Sequence, residues 1–293
     1  MYNYLMLRAF GKDNNDCLSW LTEKTESPFT CPVCGKEVIL KKGKIVRHHF
    51  AHKTRQDCPY GNNETEIHYE IKKSLYEYLQ DKPNCKNCEI EKNYNTVRPD
   101  VFVNINSNGV AIEIQKSKID VSLIMHRMYE YYKLGIAVLW VLPEKKPVTF
   151  IQETEIDKSF SKIYGFDTRC TFHRATTWEA FIHILFEGKI YYWQGDNTLK
   201  AYHFKPYQNK NDRYLQYEDD KIIDVNENIL TKYGYRRYYS RYYRRVSTNG
   251  KKLYIEKDFS PLLRKETEYQ NVKIPQCLIF VDKKKKWWIK DDS

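Results

Sequence analysis

The chain predicts a mixed α/β (α+β) fold whose central part runs α-β-β-β-α-β, preceded by a Cys/His-rich module and followed by a basic, aromatic region. Three observations carry this. Apolar residues at helical spacing after Asn63 give way to three β-branched runs, a second helical pattern and the apolar strand Ile136–Leu142. CPVCG at Cys31–Gly35 is followed closely by HHFAH. Near the end comes YGYRRYYSRYYRRV, with five Arg, six Tyr and no acid.

Composition narrows the function. The 293 residues hold 49 Lys and Arg against 38 Asp and Glu, a net charge of +11, with 25 Tyr. That balance favours a polyanionic partner, nucleic acid first and a membrane surface second. The longest apolar run, Ile136–Leu142, is far too short to span a bilayer. MYNYLMLRAF lacks a basic region followed by a long apolar stretch, so no secretion signal and a cytoplasmic location are expected. In that setting the eight cysteines point to metal or packing rather than disulfides. There is no internal repeat and no Gly-rich phosphate loop, which argues against an ATP-driven activity.

In order, Tyr2–Phe10 and Cys17–Glu23 read as short strands around a polar loop. The Cys-x2-Cys of CPVCG, with Gly just after it, turns so that both thiolates meet at one point. VILKKGKIVRHHF reads as a hairpin turning at Lys42-Gly43 and delivering His48, His49 and His52, with Cys58 beyond. Two Cys with later His or Cys donors predict a Zn²⁺ site. Cys31, Cys34, His49 and His52 are the expected ligands. Cys58 is open to replace either His, and His48 alternates away from His49 on a strand. A segment with so few large apolar side chains needs such a staple.

NETEIHYEIKKSLYEYLQD follows, with Asn63 as N-cap and Ile67, Ile71, Leu75, Tyr78 and Leu79 as its apolar stripe. Glu64, His68 and Lys72 repeat every four residues and stack on a neighbouring face, which alone reads as a solvated face. Lys82-Pro83-Asn84 ends the helix. Cys85-Lys-Asn-Cys88, with no downstream pair, reads as ordinary thiols at a strand start. Strands are expected at Cys88–Tyr94, Val97–Ile105 and Val110–Gln115, then a helix over Val121–Leu134 closed by Gly135, then Ile136–Leu142.

VRPDVFVNINSNGVAIEIQKS is the centre of the chain. Asp100 and Glu113 sit in otherwise apolar strands, where burying a carboxylate is costly unless a cation compensates. Glu113 and Gln115 share a face. With the turn at Ser107-Asn108, or over Asn106–Gly109, Asp100 lies opposite Gln115 and diagonal to Glu113, and the three converge within about 7–8 Å. The plain alternative is an amphipathic hairpin with two exposed acids.

Beyond Pro147, Thr176–Phe186 reads as a Thr-capped amphipathic helix, KIYYWQG as a strand and Asn209–Lys221 as a polar loop or linker. His173 and His183 are isolated and read as packing residues. Arg236, Arg237, Tyr239, Arg241, Tyr243, Arg244 and Arg245 combine phosphate-binding guanidinium groups with stacking faces, the ingredients of single-strand binding. CLIFVDKKKKWWIK reads as a hairpin with the lysines in its turn.

The element order, with acids on the second and third strands, resembles the PD-(D/E)xK nuclease core. CPVCG with HHFAH, ETEIH-x3-K, RPD, EIQKS, the Arg127-x3-Tyr131 helix and Trp140 together resemble the competence protein CoiA-like family over about residues 1 to 145. The resemblance implies a zinc-ribbon-like module at 1–62 and a restriction-endonuclease-like core at 63–146; it fades after Pro147, and the basic, aromatic composition is what marks 147–293 as a nucleic-acid-binding region. It also implies a Mg²⁺- or Mn²⁺-dependent deoxyribonuclease linked to transformation or recombination, with recombination proteins as further partners. DNA is the expected polymer, single strands included, and RNA stays open.

By the same resemblance Asp100 and Glu113 are metal ligands, Glu64 is the additional helix acid, and His68, Lys72 and Arg127 support them. Gln115 stands where the wider superfamily carries Lys. It can orient a water but adds no positive charge. Lys116 faces the other side of the strand, and Lys72 could reach in from the helix. The rival is a non-catalytic nucleic-acid-binding adaptor on the same fold. Gln115 favours that rival; the intact Asp100 and Glu113 oppose it.

Overall fold

Five short strands open the chain: β1 (Arg8–Phe10), β2 (Asp16–Leu18), β3 (Phe29–Thr30), β4 (Glu37–Lys41) and β5 (His49–His52). They form one antiparallel sheet in the order β2-β1-β3-β4-β5. The structure is a computed structural model describing residues 6–43, 47–53, 58, 60, 65–143, 172–173, 175–205, 214–218, 221–226, 235–237, 244–248, 250–269, 272–283 and 286–288. Met6, Phe29, Val38, Phe50 and Tyr60 close with Cys31 and Cys58 into a small core of their own. Lys41 pairs with His49, so residues 42–48 separate β4 from β5 in place of the expected turn at Lys42-Gly43. The chain before His49 is held elsewhere. Arg47 donates to Glu66, and the His48 carbonyl accepts from the Ser19 hydroxyl.

Helix α1 (Glu66–Gln80) starts at Thr65, whose hydroxyl accepts from the His68 N–H, not at Asn63, which lies outside the described residues. Tyr69, Ile71, Leu75 and Leu79 are buried along it, together with Lys72. Next come β6 (Cys85–Ile90), β7 (Val101–Ile105) and β8 (Asn108–Ile114), then α2 (Val121–Lys133) and β9 (Ala137–Pro143). The α-β-β-β-α-β order is as expected. The first of these strands starts three residues earlier than the sequence indicates and ends at Ile90, because Glu91 turns into the left-handed region at φ 51°.

β6, β7 and β8 are antiparallel, and β8 runs parallel to β9 across the α2 crossover. Parallel strands covered on both faces read as nearly continuous apolar runs. Accordingly β9 is buried throughout and β8 is buried from Val110 to Ile114, with Glu113 its one charged residue.

Contacts divide the chain into two units. Residues 1–144, 191–200 and 252–285 form the first, and 145–190, 201–251 and 286–293 the second. Strand β10 (Phe172–His173) and helix α3 (Thr177–Leu185) belong to the second. Thr176 and Glu179 cap α3 reciprocally. After it, β11 (Ile190–Trp193) runs parallel to β9 along Tyr191–Trp193. Strand β12 (Leu199–Lys205) precedes β13 (Tyr214–Glu218) and β14 (Lys221–Asn226), an antiparallel pair where the sequence reads as a polar loop. β15 (Tyr235–Arg237) joins β13, and β16 (Arg244–Thr248) pairs with β10 and β12. His183 is buried and accepts from the Phe204 N–H, a packing role.

Within the first unit, the short helix α4 (Ile255–Asp258) leads into β17 (Phe259–Arg264). The hairpin β18 (Thr267–Tyr269) and β19 (Val272–Ile274) precedes β20 (Cys277–Asp282). β20 pairs antiparallel with β17 and parallel with β9, in place of the expected terminal hairpin with Trp287-Trp288. Among the described residues no helix is long and apolar enough to cross a membrane.

Candidate active site and metal centre

The β7–β8 register organises the acidic site. Val101 faces Ile112 and Ile105 faces Asn108, leaving Asn106 and Ser107 as a two-residue turn. Both adopt positive φ, 48° and 68°, as a tight hairpin turn of matching twist requires. The turn falls earlier than expected, and extending the register places Asp100 opposite Glu113 rather than Gln115. Asn106 tolerates the left-handed conformation, and the Asn108 amide donates back to the Ile105 and Asn106 carbonyls, fixing the turn there.

Asp100 receives three groups. His68 Nε2 lies 2.9 Å from Oδ2, Lys72 Nζ 3.2 Å from Oδ1, and the Ile114 N–H donates to Oδ2 at 2.8 Å. Thus two residues one helical turn apart on α1 converge on one carboxylate. Burial works against ionisation, but the charges of His68 and Lys72 and these hydrogen bonds outweigh it and hold the carboxyl well below the usual range.

Glu113 is 1% exposed. The Tyr131 hydroxyl donates to its Oε1 at 2.5 Å and Arg127 reaches Oε2 at 2.9 Å. Both come from α2, four residues apart on one face. Burial pushes the Glu113 carboxyl up to about 7; the Asp100 charge adds to this, while Arg127 and Tyr131 oppose it. Arg127 also donates to the Arg98 carbonyl and lies 5.8 Å above the Trp140 ring.

Gln115 lies just beyond β8, half-exposed, its side-chain amide donating to the Ser117 carbonyl at 2.8 Å. Glu64 lies outside the described residues. The sequence reading missed Glu91, which holds Lys72 at 2.6 Å, and gave Tyr131 no site role of its own beside Arg127. Its spacing of four from Arg127 was the available signal for Tyr131. For Glu91 the signal was an acid directly after an apolar strand end.

In the N-terminal module Cys31, Cys34, His52 and Cys58 bring one ligand atom each within 4.8 Å of one another. A zinc–sulfur bond of about 2.3 Å implies tetrahedron edges of about 3.8 Å. Cys31 Sγ and Cys58 Sγ stand 3.8 Å apart, and Cys34 Sγ lies 3.1 Å from His52 Nε2. The Gly35 N–H closes the knuckle onto the Cys31 carbonyl, and Gly35 takes φ 67°, which suits glycine. The set can hold a metal ion.

His49 stands outside this group, with Cys58 in its stead. His49 and His52 are three apart on β5 and therefore face opposite sides, whereas His52 shares the face of Phe50. His49 Nδ1 meets the Arg47 carbonyl at 2.7 Å instead. Cys85 and Cys88, on β6, are not in the group.

Of the basic aromatic run, Arg236 and Arg237 lie on β15 and Arg244 and Arg245 on β16. Tyr239, Arg241 and Tyr243 lie outside the described residues.

Comparisons with known proteins place the chain in a family. A family model described as competence protein CoiA, nuclease-like domain, matches residues 64–215, and one described as competence protein CoiA, N-terminal domain, matches residues 13–61. The competence protein CoiA of Bacillus subtilis (strain 168) is 32% identical over 117 residues, which are 39% of this chain and 31% of that relative. The matched stretch thus spans about a third of the relative's length. No solved structure matches significantly. With the nuclease-like model covering half of its length and the N-terminal model most of the rest of its first half, the chain belongs to the competence protein CoiA family.

Proposed function

We propose that the chain is a metal-dependent deoxyribonuclease with a restriction-endonuclease-like, PD-(D/E)xK core, acting in DNA processing linked to transformation or recombination. The observation that carries this reading is the opposition of Asp100 and Glu113 across β7 and β8, with one carboxyl held ionised and the other held near neutrality. Two opposed hard oxygen donors, one of them holding its proton up to about pH 7 because it is buried beside the Asp100 charge, suit Mg²⁺ or Mn²⁺. Asp100 and Glu113 would hold the ion, with Glu64 as the further acid. When bound, it neutralises charge developing on a phosphodiester and acidifies a water.

The chain's own groups do the remainder. Arg127 and Tyr131 fix the Glu113 carboxylate. His68 and Lys72 orient Asp100, and Lys72 brings positive charge from α1 where the third strand carries Gln115. Zn²⁺ at Cys31, Cys34, His52 and Cys58 would staple the 1–62 module, whose own core is small. The Arg and Tyr of 233–246 grip DNA, single strands included, in a cytoplasmic setting with recombination proteins as partners.

One observation favours the adaptor reading: both carboxylates already have basic or hydroxyl partners, and the third strand carries Gln115. Labelled single- and double-stranded DNA, with Mg²⁺ or Mn²⁺, separates the two. Cleavage lost in Asp100→Ala and Glu113→Ala supports the nuclease. Salt-sensitive binding without cleavage, unchanged in both variants, supports the adaptor.

A further inference from the structure

Lys72 is 2% exposed, a rare place for an ammonium group. Its Nζ lies between two carboxylates, Glu91 at 2.6 Å and Asp100 at 3.2 Å. Two acceptors fix the ammonium direction more tightly than one, and a buried ion pair of this kind serves placement more than stability. Glu91 is itself buried, and its second oxygen accepts from the hydroxyl of the fully buried Tyr60 at 2.5 Å. The Arg98 guanidinium lies 4.4 Å above the Tyr60 ring.

Glu91 is held by its backbone as well. Its N–H donates to the Asp100 carbonyl at 3.3 Å, and its carbonyl accepts from Arg8 at 3.4 Å. These contacts hold it at φ 51°, an unfavourable conformation for a residue with a Cβ. Tyr60 lies two residues from Cys58, and both belong to the core of the metal-binding module. A line of buried residues therefore runs from Cys58 through Tyr60 and Glu91 to Lys72, one of the two cations that neutralise Asp100.

We propose that Tyr60 and Glu91 are positioning residues that couple the Cys31–Cys34–His52–Cys58 group to Lys72, so that the state of the metal centre sets where the acidic site's buried cation stands. The inference rests on the reading of Asp100 and Glu113 as the reactive centre, but its main readout does not depend on activity. Strands β6 and β7 transmit it: Glu91 closes β6 and Asp100 opens onto β7.

The test is amine-labelling mass spectrometry of the full chain, reading Lys72 against the exposed Lys86 and Lys118. It is run on wild type, Tyr60→Phe and Glu91→Gln, and on wild type with zinc removed by a chelator. Tyr60→Phe removes one hydroxyl and keeps the ring, and the control lysines report whether the fold is retained. Lys72 is expected to label slowly in zinc-loaded wild type, and about fivefold or more faster in Tyr60→Phe and after chelation, with the control lysines unchanged. Cleavage by Tyr60→Phe is expected to fall about tenfold in kcat with KM for DNA unchanged, and Tyr60→Phe adds nothing to Glu91→Gln.

Unchanged Lys72 labelling in Tyr60→Phe and after chelation overturns the coupling, and so does a parallel rise at every lysine. If wild type cleaves no DNA with either metal while Lys72 labelling responds, the nuclease reading falls and the coupling stands. If wild type cleaves and labelling stays flat, the coupling alone falls.

Discussion

Asp100, just before β7, stands opposite Glu113 on β8, and the two carboxyls are driven to opposite ends of the carboxylate range. Burial raises both, more completely at Glu113 than at the part-buried Asp100, and the partners widen the difference. Asp100 has two cationic neighbours and a backbone N–H, whereas Glu113 has one cation, one hydroxyl and the negative charge of Asp100. Paired acids separated in this way are a recurrent feature of reactive sites.

The first prediction concerns pH. The Glu113 carboxyl rises from an ordinary 4.5 to about 7 in the folded chain. The folded state therefore binds the extra proton between these values, and its contribution to stability is lost as pH rises through about 7. The metal-free chain should lose thermal stability between pH 6 and pH 8, and Mn²⁺ at pH 8 should restore it by binding the folded state. Glu113→Gln should flatten this dependence. Asp100 contributes in the opposite sense: its stabilisation is present above the ordinary aspartate range and fades only in acid. Differential scanning calorimetry across the two pH values, with and without Mn²⁺, checks the sign.

Arg127 provides the second prediction. Its charge lowers the Glu113 pKa, so Arg127→Met should push the Glu113 midpoint above its wild-type value of about 7. Mn²⁺ affinity at pH 7 should then fall, because the competing proton is held more tightly. Arg127→Lys should recover part of the effect, since it keeps the charge but not the second hydrogen bond to the Arg98 carbonyl. Calorimetric titration with Mn²⁺ at pH 6, 7 and 8 resolves this. An unshifted midpoint in Arg127→Met would falsify the electrostatic account.

The third prediction concerns the basic aromatic run. Replacing Arg236, Arg237, Arg244 and Arg245 with Gln should weaken single-stranded DNA binding uniformly across sequences. The slope of log K against log salt should become shallower by about 0.7 for each phosphate that is no longer neutralised. Tyr239→Ala and Tyr243→Ala should instead cost about 1–3 kcal/mol per unstacked base with the slope unchanged. Fluorescence anisotropy at several salt concentrations separates the two behaviours.

The sequence made the core's element order legible because each element there has one dominant period: four-residue spacing in α1 and α2, continuous apolar runs in β8 and β9. Asp100 and Glu113 stood out as acids within such runs. Their pairing did not, because register depends on where the turn falls, and NINSNG offers several Asn/Gly turns of similar merit. Backbone φ at Asn106 and Ser107 decides it. Lys72 was readable as part of a stacked helix face. Glu91 was not readable as its partner, because that contact spans nineteen positions and depends on a left-handed residue at a strand end. In the N-terminal module the ligand types were evident, yet the choice between His49 and Cys58 turned on strand parity, which is settled only once β5 is known to include both His49 and His52.

That parity yields the last prediction. If Cys58 completes the metal set and His49 does not, zinc content should separate the two residues cleanly. Wild type should carry about one zinc per chain, as a closed four-ligand site requires. His49→Gln should keep it, because His49 faces away from Phe50 and His52 and meets the Arg47 carbonyl. Cys58→Ser should lose most of it, because removing one of four ligands opens the tetrahedron and leaves Cys31 Sγ without the sulfur that stands 3.8 Å away. Because the module's core is small and includes Cys31 and Cys58 themselves, metal loss should also lower its thermal midpoint. Elemental analysis of the purified variants, paired with calorimetry, checks both parts. Full zinc in Cys58→Ser with none in His49→Gln would make His49 the fourth ligand and overturn the assignment of Cys58.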